Sequence, residues 1–498
     1  MKTITLIGLS TAAMLLTSAT VWSLTPPGGS AAASQRSEAS PPDAPEAGTA
    51  AAGPAASFTS GSTLVLDGRL GHGRLAVDAP GETYLMLEVR GEGAPGASPA
   101  APASLSLVID RSGSMRGTRL QNAKNAAIAA VDRLRDGDTV SVLTFDTRTQ
   151  LVVPAQPIGP GSRERIASSI RAIELGGDTC ISCGIEDGLR QLDGSGGRLA
   201  RMILLSDGEA TAGVRDVPGF RSIAQRARDR GASITTVGVD VEYDERILAA
   251  VAEESNGRHY FVENDAALSR VFEDEAHDLG ISIASAAEAT IVLGPGVELE
   301  QVLDRSFRRS GSSIVVPLGS FSKGETKTVL AKVLVPAGKG ASMAIAAVEL
   351  GWRDTASGAT ASCAGKLAVD LVADAAKVSA FDPLVEGRLA RSETATALAL
   401  ANELFTRGQA GEARAQLDAQ RQRVARLAAA SAAQPSDAAA RGQKEQLDAQ
   451  LDALRAADEA FTAAAPPGQP PGSRTAQQIR SGKVAVRSSQ QRFAPMRL

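Results

Sequence analysis

The feature that most constrains the fold is a short apolar segment, Leu105 to Asp110, that ends on an aspartate. An uninterrupted apolar run of this length is typical of a strand buried on both faces, as in a parallel sheet covered by helices. Asp110 therefore falls at the edge where open α/β sheets bind ligands. The turn that follows carries Ser112 and Ser114 at alternate positions. One carboxylate and two hydroxyls predict part of a site for a hard divalent cation.

Two later stretches offer further oxygen ligands. Thr179 lies on a glycine-rich loop, and Asp207 follows a second buried strand, Met202 to Leu205. Asp146, after another strand, is expected to be an exposed loop acid, with a place at the site as the alternative. Serine and aspartate also cap helices, so a purely structural role is the alternative for the whole set. The candidate metal ligands are Asp110, Ser112, Ser114, Thr179 and Asp207.

Helical and strand-like patterns alternate from residue 102 to residue 280. Thr118 to Arg135 has apolar residues close to a 3.6-residue period and is predicted to be a helix. Val140 to Phe145 is predicted to be another buried strand, and the alternation continues to His277. This pattern predicts an α/β domain built on a doubly wound, mostly parallel sheet.

The three ligand-bearing stretches, Asp-x-Ser-x-Ser, a loop threonine and a strand-end Ser-Asp-Gly, resemble the metal-ion-dependent adhesion site of von Willebrand factor type A domains. The resemblance spans roughly Ala103 to Gly280. It implies the Rossmann-like α/β fold of that family for residues 102–280. The whole arrangement is also similar to bacterial type A proteins that are likened to calcium-activated chloride channel proteins.

The resemblance implies a divalent cation at these residues, with Mg²⁺ expected first and Mn²⁺ or Ca²⁺ as alternatives. It implies that Ser112, Ser114 and Thr179 are direct or near-direct ligands, and that Asp110 and Asp207 act through waters. The partner implied is a protein that presents an Asp or Glu carboxylate to the ion.

Two residues beside the loop threonine depart from the family pattern. Asp178 precedes Thr179 where the family usually has Gly, and Cys180 replaces the common Asn or Asp. Cys180 and Cys183 are expected to form a disulfide if the chain is exported, with a redox motif or a zinc site as alternatives. Cys363 is expected to be a buried thiol, with pairing to either loop cysteine as the alternative.

The N-terminal segment indicates export. Residues 1–24 contain one lysine and then an apolar stretch, Ile4 to Leu16, which fits a secretory signal peptide. The apolar character continues to Leu24, so an uncleaved single membrane anchor is the alternative. Residues 25–57 are rich in Pro, Ala, Ser and Gly and are predicted to be a disordered linker. The expected location is the periplasm, the cell surface or the extracellular space.

The remaining segments predict an accessory β-sandwich and a helical region. Residues 58–101 read as the N-terminal strands of the sandwich and a linker, and residues 281–375 as its other strands. Residues 376–464 are predicted to form a helical hairpin or bundle. Residues 465–498 carry basic residues without an acid after Arg474 and are predicted to be a disordered tail, with an anionic envelope contact as the alternative.

The formal net charge of -4 argues against a nucleic-acid partner. No hydrolase or phosphate-loop motif is present, so we do not expect an enzyme. The function expected is a metal-dependent protein-binding module of the cell envelope, acting in adhesion or as a scaffold. The alternatives are a metal-dependent hydrolase and a scaffold whose metal site is degenerate.

Overall fold

The structure is a computed structural model, and it describes residues 56–93, 101–195, 198–240, 243–262, 265–432, 438–465 and 475–497. The predicted signal or anchor segment, residues 1–24, lies outside this part of the chain, as does nearly all of the predicted linker, 25–57. Within the described ranges, no helix combines the length and the apolar character needed to cross a membrane.

Four strands precede the α/β part of the described chain. The second and fourth of them carry buried residues among partly exposed ones, because each belongs to one layer of a sandwich and turns one face toward the core. The strands are β1 (Ser57–Gly61), β2 (Leu64–Leu70), β3 (Arg74–Ala76) and β4 (Gly81–Gly91).

An α/β domain follows. Its strands are β5 (Ser104–Asp110), β6 (Thr139–Phe145), β7 (Thr149–Pro157), β8 (Ala200–Ser206), β9 (Ala232–Val239) and β10 (His259–Val262). Its helices are α1 (Thr118–Arg133), α2 (Ser162–Arg171), α3 (Ile181–Leu192), α4 (Val217–Asp229), α5 (Glu245–Glu254) and α6 (Asp265–Gly280).

These strands form one sheet in the order β10-β9-β8-β5-β6-β7, and all neighbours are parallel except β6 and β7. Every residue of β5 is buried, since helices cover both faces of the sheet. The doubly wound, mostly parallel sheet predicted from the sequence is therefore confirmed. The edge strands β7 and β10 were not predicted, because β7 is largely exposed and β10 is only four residues long.

The β-sandwich closes after the α/β domain. Strand orders are β1-β2-β4-β15-β12 in one sheet and β13-β14-β11-β16-β17-β3 in the other. Each sheet thus combines strands that precede the α/β domain in the sequence with strands that follow it. The α/β domain is therefore an insertion within the sequence of the sandwich. The later strands are β11 (Ser282–Leu293), β12 (Glu298–Leu303), β13 (Arg308–Ser310), β14 (Ser313–Ser322), β15 (Thr326–Val335), β16 (Ser342–Asp354) and β17 (Thr360–Val372).

A buried charge cluster joins the α/β domain to the sandwich. Glu275 on α6 is 1% exposed and accepts hydrogen bonds from Arg201 at 3.0 Å and from Tyr260 at 2.9 Å. Arg258 lies 3.3 Å from the same carboxylate and bonds Glu325 of the sandwich at 3.2 Å. Because its charges are paired, the cluster can be buried between the two parts.

The C-terminal part is a bundle around stacked Phe405 and Phe461, whose ring centroids lie 4.2 Å apart. The prediction of a disordered tail at 465–498 is wrong for its last described stretch, which is a helix. Ala485 and Val486 pack into the bundle core, so apolar contact outweighs the basic composition of this segment. The helices are α7 (Pro383–Thr406), α8 (Ala410–Ala432), α9 (Ala438–Ala464) and α10 (Ala476–Arg497).

Candidate metal site

The centre of the candidate site is the buried carboxylate of Asp110, the last residue of β5. Its Oδ1 accepts a hydrogen bond from the backbone N–H of Ser112 at 2.8 Å. Its Oδ2 accepts one from the hydroxyl of Ser206, the last residue of β8, at 2.6 Å. The ends of the two neighbouring parallel strands are thereby linked through one side chain.

The second carboxylate, Asp207, lies one residue beyond β8 and is hydrogen-bonded by the serine turn, the turn after β5 that carries Ser112 and Ser114. Ser114 Oγ donates to Asp207 Oδ1 at 2.6 Å, and Ser114 Oγ lies 3.0 Å from Ser112 Oγ. A Cβ placed on Gly208 would lie 3.4 Å from Ser114 Oγ and 3.7 Å from Thr179 Oγ1. The loop threonine and the serine turn therefore approach the same point.

The structure thus brings all the predicted ligand residues to the carboxyl edge of the sheet. The neighbouring acids behave differently. Asp178 is exposed, and its backbone N–H bonds Thr147 Oγ1 at 3.0 Å. The prediction that Asp146 is an exposed loop acid is wrong, because it is 7% exposed and pairs with Arg111 at 2.8 Å. Gly176 packs so closely on it that a Cβ there would lie 1.8 Å from Asp146 Oδ2.

Burial shapes the electrostatics of both site carboxylates. It raises the pKa of Asp110 to about 6, although hydrogen bonds from Ser112 and Ser206 oppose the change. Burial also raises the pKa of Asp207, against the effects of Ser114 and Arg119. Both carboxylates are therefore desolvated, and each would gain from a neighbouring cation.

Sequence reasoning missed a cationic side chain at this site. Arg119, the second residue of α1, donates from Nη1 to Asp207 Oδ2 at 3.0 Å and to the Ser114 carbonyl oxygen at 2.8 Å. Its Nη2 bonds Asp240, which directly follows β9. An arginine in the first turn of a helix opposes the helix dipole, and this placement could have indicated an acidic partner.

The sequence profile of the von Willebrand factor type A domain matches residues 105–274, which hold the sheet and all the candidate ligands. These residues form a von Willebrand factor type A domain. Domains of this family serve in adhesion or protein interaction, and some carry a metal-binding adhesion site.

Solved structures share more than the type A domain. A von Willebrand factor type A protein from Catenulispora acidiphila superposes with a TM-score of 0.67 at 15% identity, covering 86% of this chain and 98% of that chain. The ArnB paralog VWA2 from Sulfolobus acidocaldarius gives a TM-score of 0.56 at 15% identity, covering 86% and 99%. At this identity the likeness concerns the fold alone.

Relatives by sequence match part of the chain. The uncharacterized protein sll0103 of Synechocystis is 27% identical over 271 residues, 52% of this chain and 63% of its own length. The uncharacterized protein YfbK of Escherichia coli is 26% identical, over 39% of this chain and 34% of its own. Human inter-alpha-trypsin inhibitor heavy chain H4 is 25% identical, over 43% and 24%. The chain thus matches less than two thirds of the length of each.

A disulfide lies beside the loop threonine of the type A domain. Cys180 and Cys183 are bonded to each other, and Cys363 is a half-buried free thiol in the sandwich whose pKa burial raises to about 11. The loop after Asp207 rests on the disulfide at Gly213, which has a φ of 71°. A Cβ at Gly213 would lie 2.7 Å from Cys180 Sγ, so only glycine fits here.

Replacing both Cys180 and Cys183 by Ser is expected to lower the free energy of unfolding by about 2 kcal/mol, because the short cross-link restricts the unfolded chain. Urea unfolding measures the change, and Cys363→Ser is the control, with an expected loss below about 1 kcal/mol. Two alkylatable thiols at Cys180 and Cys183 in the native protein would contradict this expectation.

The donor set of the type A domain fits a hard divalent cation. All five candidate side chains offer oxygen, and hydrogen bonds link four of these residues, Asp110, Ser112, Ser114 and Asp207. In the part of the chain that the structure describes, no group of three or more His, Cys, Asp or Glu side chains is placed to hold a metal. A cation at this site would therefore depend on serine and threonine hydroxyls as well as on the two carboxylates.

Proposed function

We propose that the type A domain binds a divalent cation, Mg²⁺ first, and uses it to capture an Asp or Glu carboxylate of a partner protein. The residues that would hold the ion are Asp110, Ser112, Ser114, Thr179 and Asp207. The observation that carries the proposal is the convergence of these oxygen-bearing side chains at the carboxyl edge of the sheet.

The charges at the site favour capture of an anion. Two carboxylates balance the charge of a divalent ion, and the hydroxyls add ligands without adding charge. An ion held in this way keeps its attraction for an incoming carboxylate, which can replace one of the waters that Mg²⁺ retains.

We place this module outside the cytoplasm, in the envelope or beyond it. The Cys180–Cys183 disulfide supports the proposal, because structural disulfides persist in oxidising compartments. The apolar segment Ile4 to Leu16 supports it from the sequence. An adhesion or scaffold role at the envelope is the corresponding cellular function.

We propose binding in preference to hydrolysis, because both carboxylates that converge at the site would be engaged as ligands of the ion. The two carboxylates have hydrogen-bonded partners, and His259 is engaged elsewhere, with Thr236 Oγ1 at 2.9 Å and Tyr243 Oη at 3.3 Å. Ligation by hydroxyls would hold the ion and leave one of its coordination positions to the carboxylate of a partner.

Calorimetric titration with Mg²⁺, Mn²⁺ and Ca²⁺ tests the first half of the proposal. Retention of a peptide library with a central Asp or Glu on the immobilised protein tests the second, with Asn and Gln peptides as matched controls. We expect cation-dependent retention of the acidic peptides that a chelator abolishes. Absence of cation binding would leave a scaffold with a degenerate site. Cation-dependent cleavage of peptide or phosphoester substrates would indicate a hydrolase.

A further inference from the structure

A chain of ion pairs connects the candidate site to the C-terminal helix. Arg119 bonds Asp207 Oδ2 at 3.0 Å through Nη1 and Asp240 Oδ2 through Nη2. Arg480 on α10 bonds the other oxygen of that second acid, Asp240 Oδ1, at 2.9 Å. We call Asp207, Arg119, Asp240 and Arg480 the ion-pair chain. Its two ends are 273 residues apart in the sequence, by the difference of 480 and 207.

Packing on two sides fixes the position of α10, and with it the position of Arg480. Val484 packs against the core of the type A domain, and Ala485 and Val486 pack into the helical bundle. Gly482 lies against the ring of Phe405, where a Cβ would be 2.8 Å from Cε1. The helix therefore contacts the bundle and the type A domain at once, and it comes from outside that domain.

The two arginines share one carboxylate. Arg480 on Asp240 reduces the attraction that Asp240 exerts on Arg119, and the guanidinium of Arg119 then favours its other partner, Asp207. A guanidinium on Asp207 Oδ2 competes by its charge with a divalent ion for the same carboxylate. Arg480 thus acts on the site through Arg119 without touching a candidate ligand.

We propose that α10 restrains cation binding at the candidate site, because Arg480 holds Arg119 on Asp207 through their shared partner Asp240. The inference rests on the cation site of the proposed function and adds its regulation. By linkage, an ion that displaces Arg119 from Asp207 weakens the hold of α10 on the type A domain by the same factor.

The test uses the full chain and Mg²⁺ or Mn²⁺ titrations. Arg480→Ala is expected to tighten cation binding about two- to fivefold, the size of an exposed ion pair. Asp240→Asn is expected to weaken binding by a similar factor, since Arg119 then loses the carboxylate that draws it away from Asp207. Asparagine tolerates the left-handed φ of 62° at this position. Arg455→Ala, which removes an exposed ion pair within α9, is the matched control and should leave the affinity unchanged.

A second background separates the ion-pair chain from a general charge effect. With Arg119→Gln, Arg480→Ala should no longer change the affinity. If Arg119→Gln does not fold, Arg119→Lys replaces it, because one ammonium group cannot bridge both carboxylates and the effect of Arg480→Ala should shrink. A gain that persists undiminished in the background that folds would overturn the proposal.

Hydrogen exchange gives a readout that does not depend on affinity. Adding Mg²⁺ should raise the exchange of amides in residues 476–497 of the wild-type chain, and should not do so in the Arg119→Gln variant. Equal cation binding by the wild type and Arg480→Ala, with no change in exchange, would overturn the regulation and leave the proposed function intact. Absence of cation binding by the wild type would overturn both.

Discussion

Asp207→Asn is expected to weaken divalent-cation binding by about 100-fold or more, since changes even in residues that only support metal ligands cost up to that factor. Asparagine preserves the shape of the side chain and an oxygen that can accept the hydrogen bond from Ser114. It removes one of the two negative charges that balance the ion. Burial makes that loss larger, because the remaining carboxylate, Asp110, cannot be assisted by bulk water. Calorimetric titration with Mg²⁺ measures the effect.

Asp178→Asn is the matched control, because it removes the same charge from the exposed residue beside Thr179. Its affinity should stay within about twofold of the wild type, as expected for a solvent-screened charge. The thermal unfolding midpoint of each variant shows whether the fold survives. An Asp207→Asn affinity within threefold of the wild type would remove this carboxylate from the proposed ligand set.

Glu275→Gln is expected to lower the free energy of unfolding by about 3–5 kcal/mol, the cost of breaking a buried ion pair from one side. The variant leaves Arg201 buried beside a neutral amide and weakens bonds from Thr235 and Tyr260. Urea unfolding measures the loss. Glu253→Gln, at an exposed pair with Arg221, is the control and should cost less than about 1 kcal/mol.

The penalty of Glu275→Gln should also depend on pH. Burial acts to raise the pKa of Glu275, but Arg201 and Arg258 outweigh it, and the pKa lies below its ordinary value of 4.5. The stabilisation from its charge is therefore full above pH 4.5 and is lost as the pH falls through the lowered pKa. The difference between wild type and variant should shrink in acid. A constant difference from pH 7 to pH 3 would show that the charge of Glu275 is not its source.

The sequence predicts those parts of the site that depend on a single strand and the turn after it. The apolar run before Asp110 determines where β5 ends, and parallel strands bring their carboxyl ends to the same edge, so Asp207 could be placed beside it. The contribution of Arg119 could not be predicted in the same way. Its partners follow two different strands, and no local pattern states which acid a long side chain will reach.

The C-terminal helix illustrates a second limit of prediction from the sequence. Basic composition and few large apolar residues predict disorder for residues 465–498, and the segment has little helical patterning of its own. Gly482 allows close approach to Phe405 and Ala485 packs into the bundle core, and the benefit exists only once the bundle is assembled. Tertiary contacts therefore decide the state of this segment, and they are not visible in its own sequence.

The insertion of the type A domain also bears on the order of folding during synthesis. β4 pairs with β15, so the first strands of the sandwich emerge long before their partner at residues 326–335. The contacts within residues 104–280 are complete earlier. This domain can therefore fold before the partner strands of β1 to β4 have been synthesised. Until then the first strands present open edges, which makes this interval the one in which a protective chaperone would matter most.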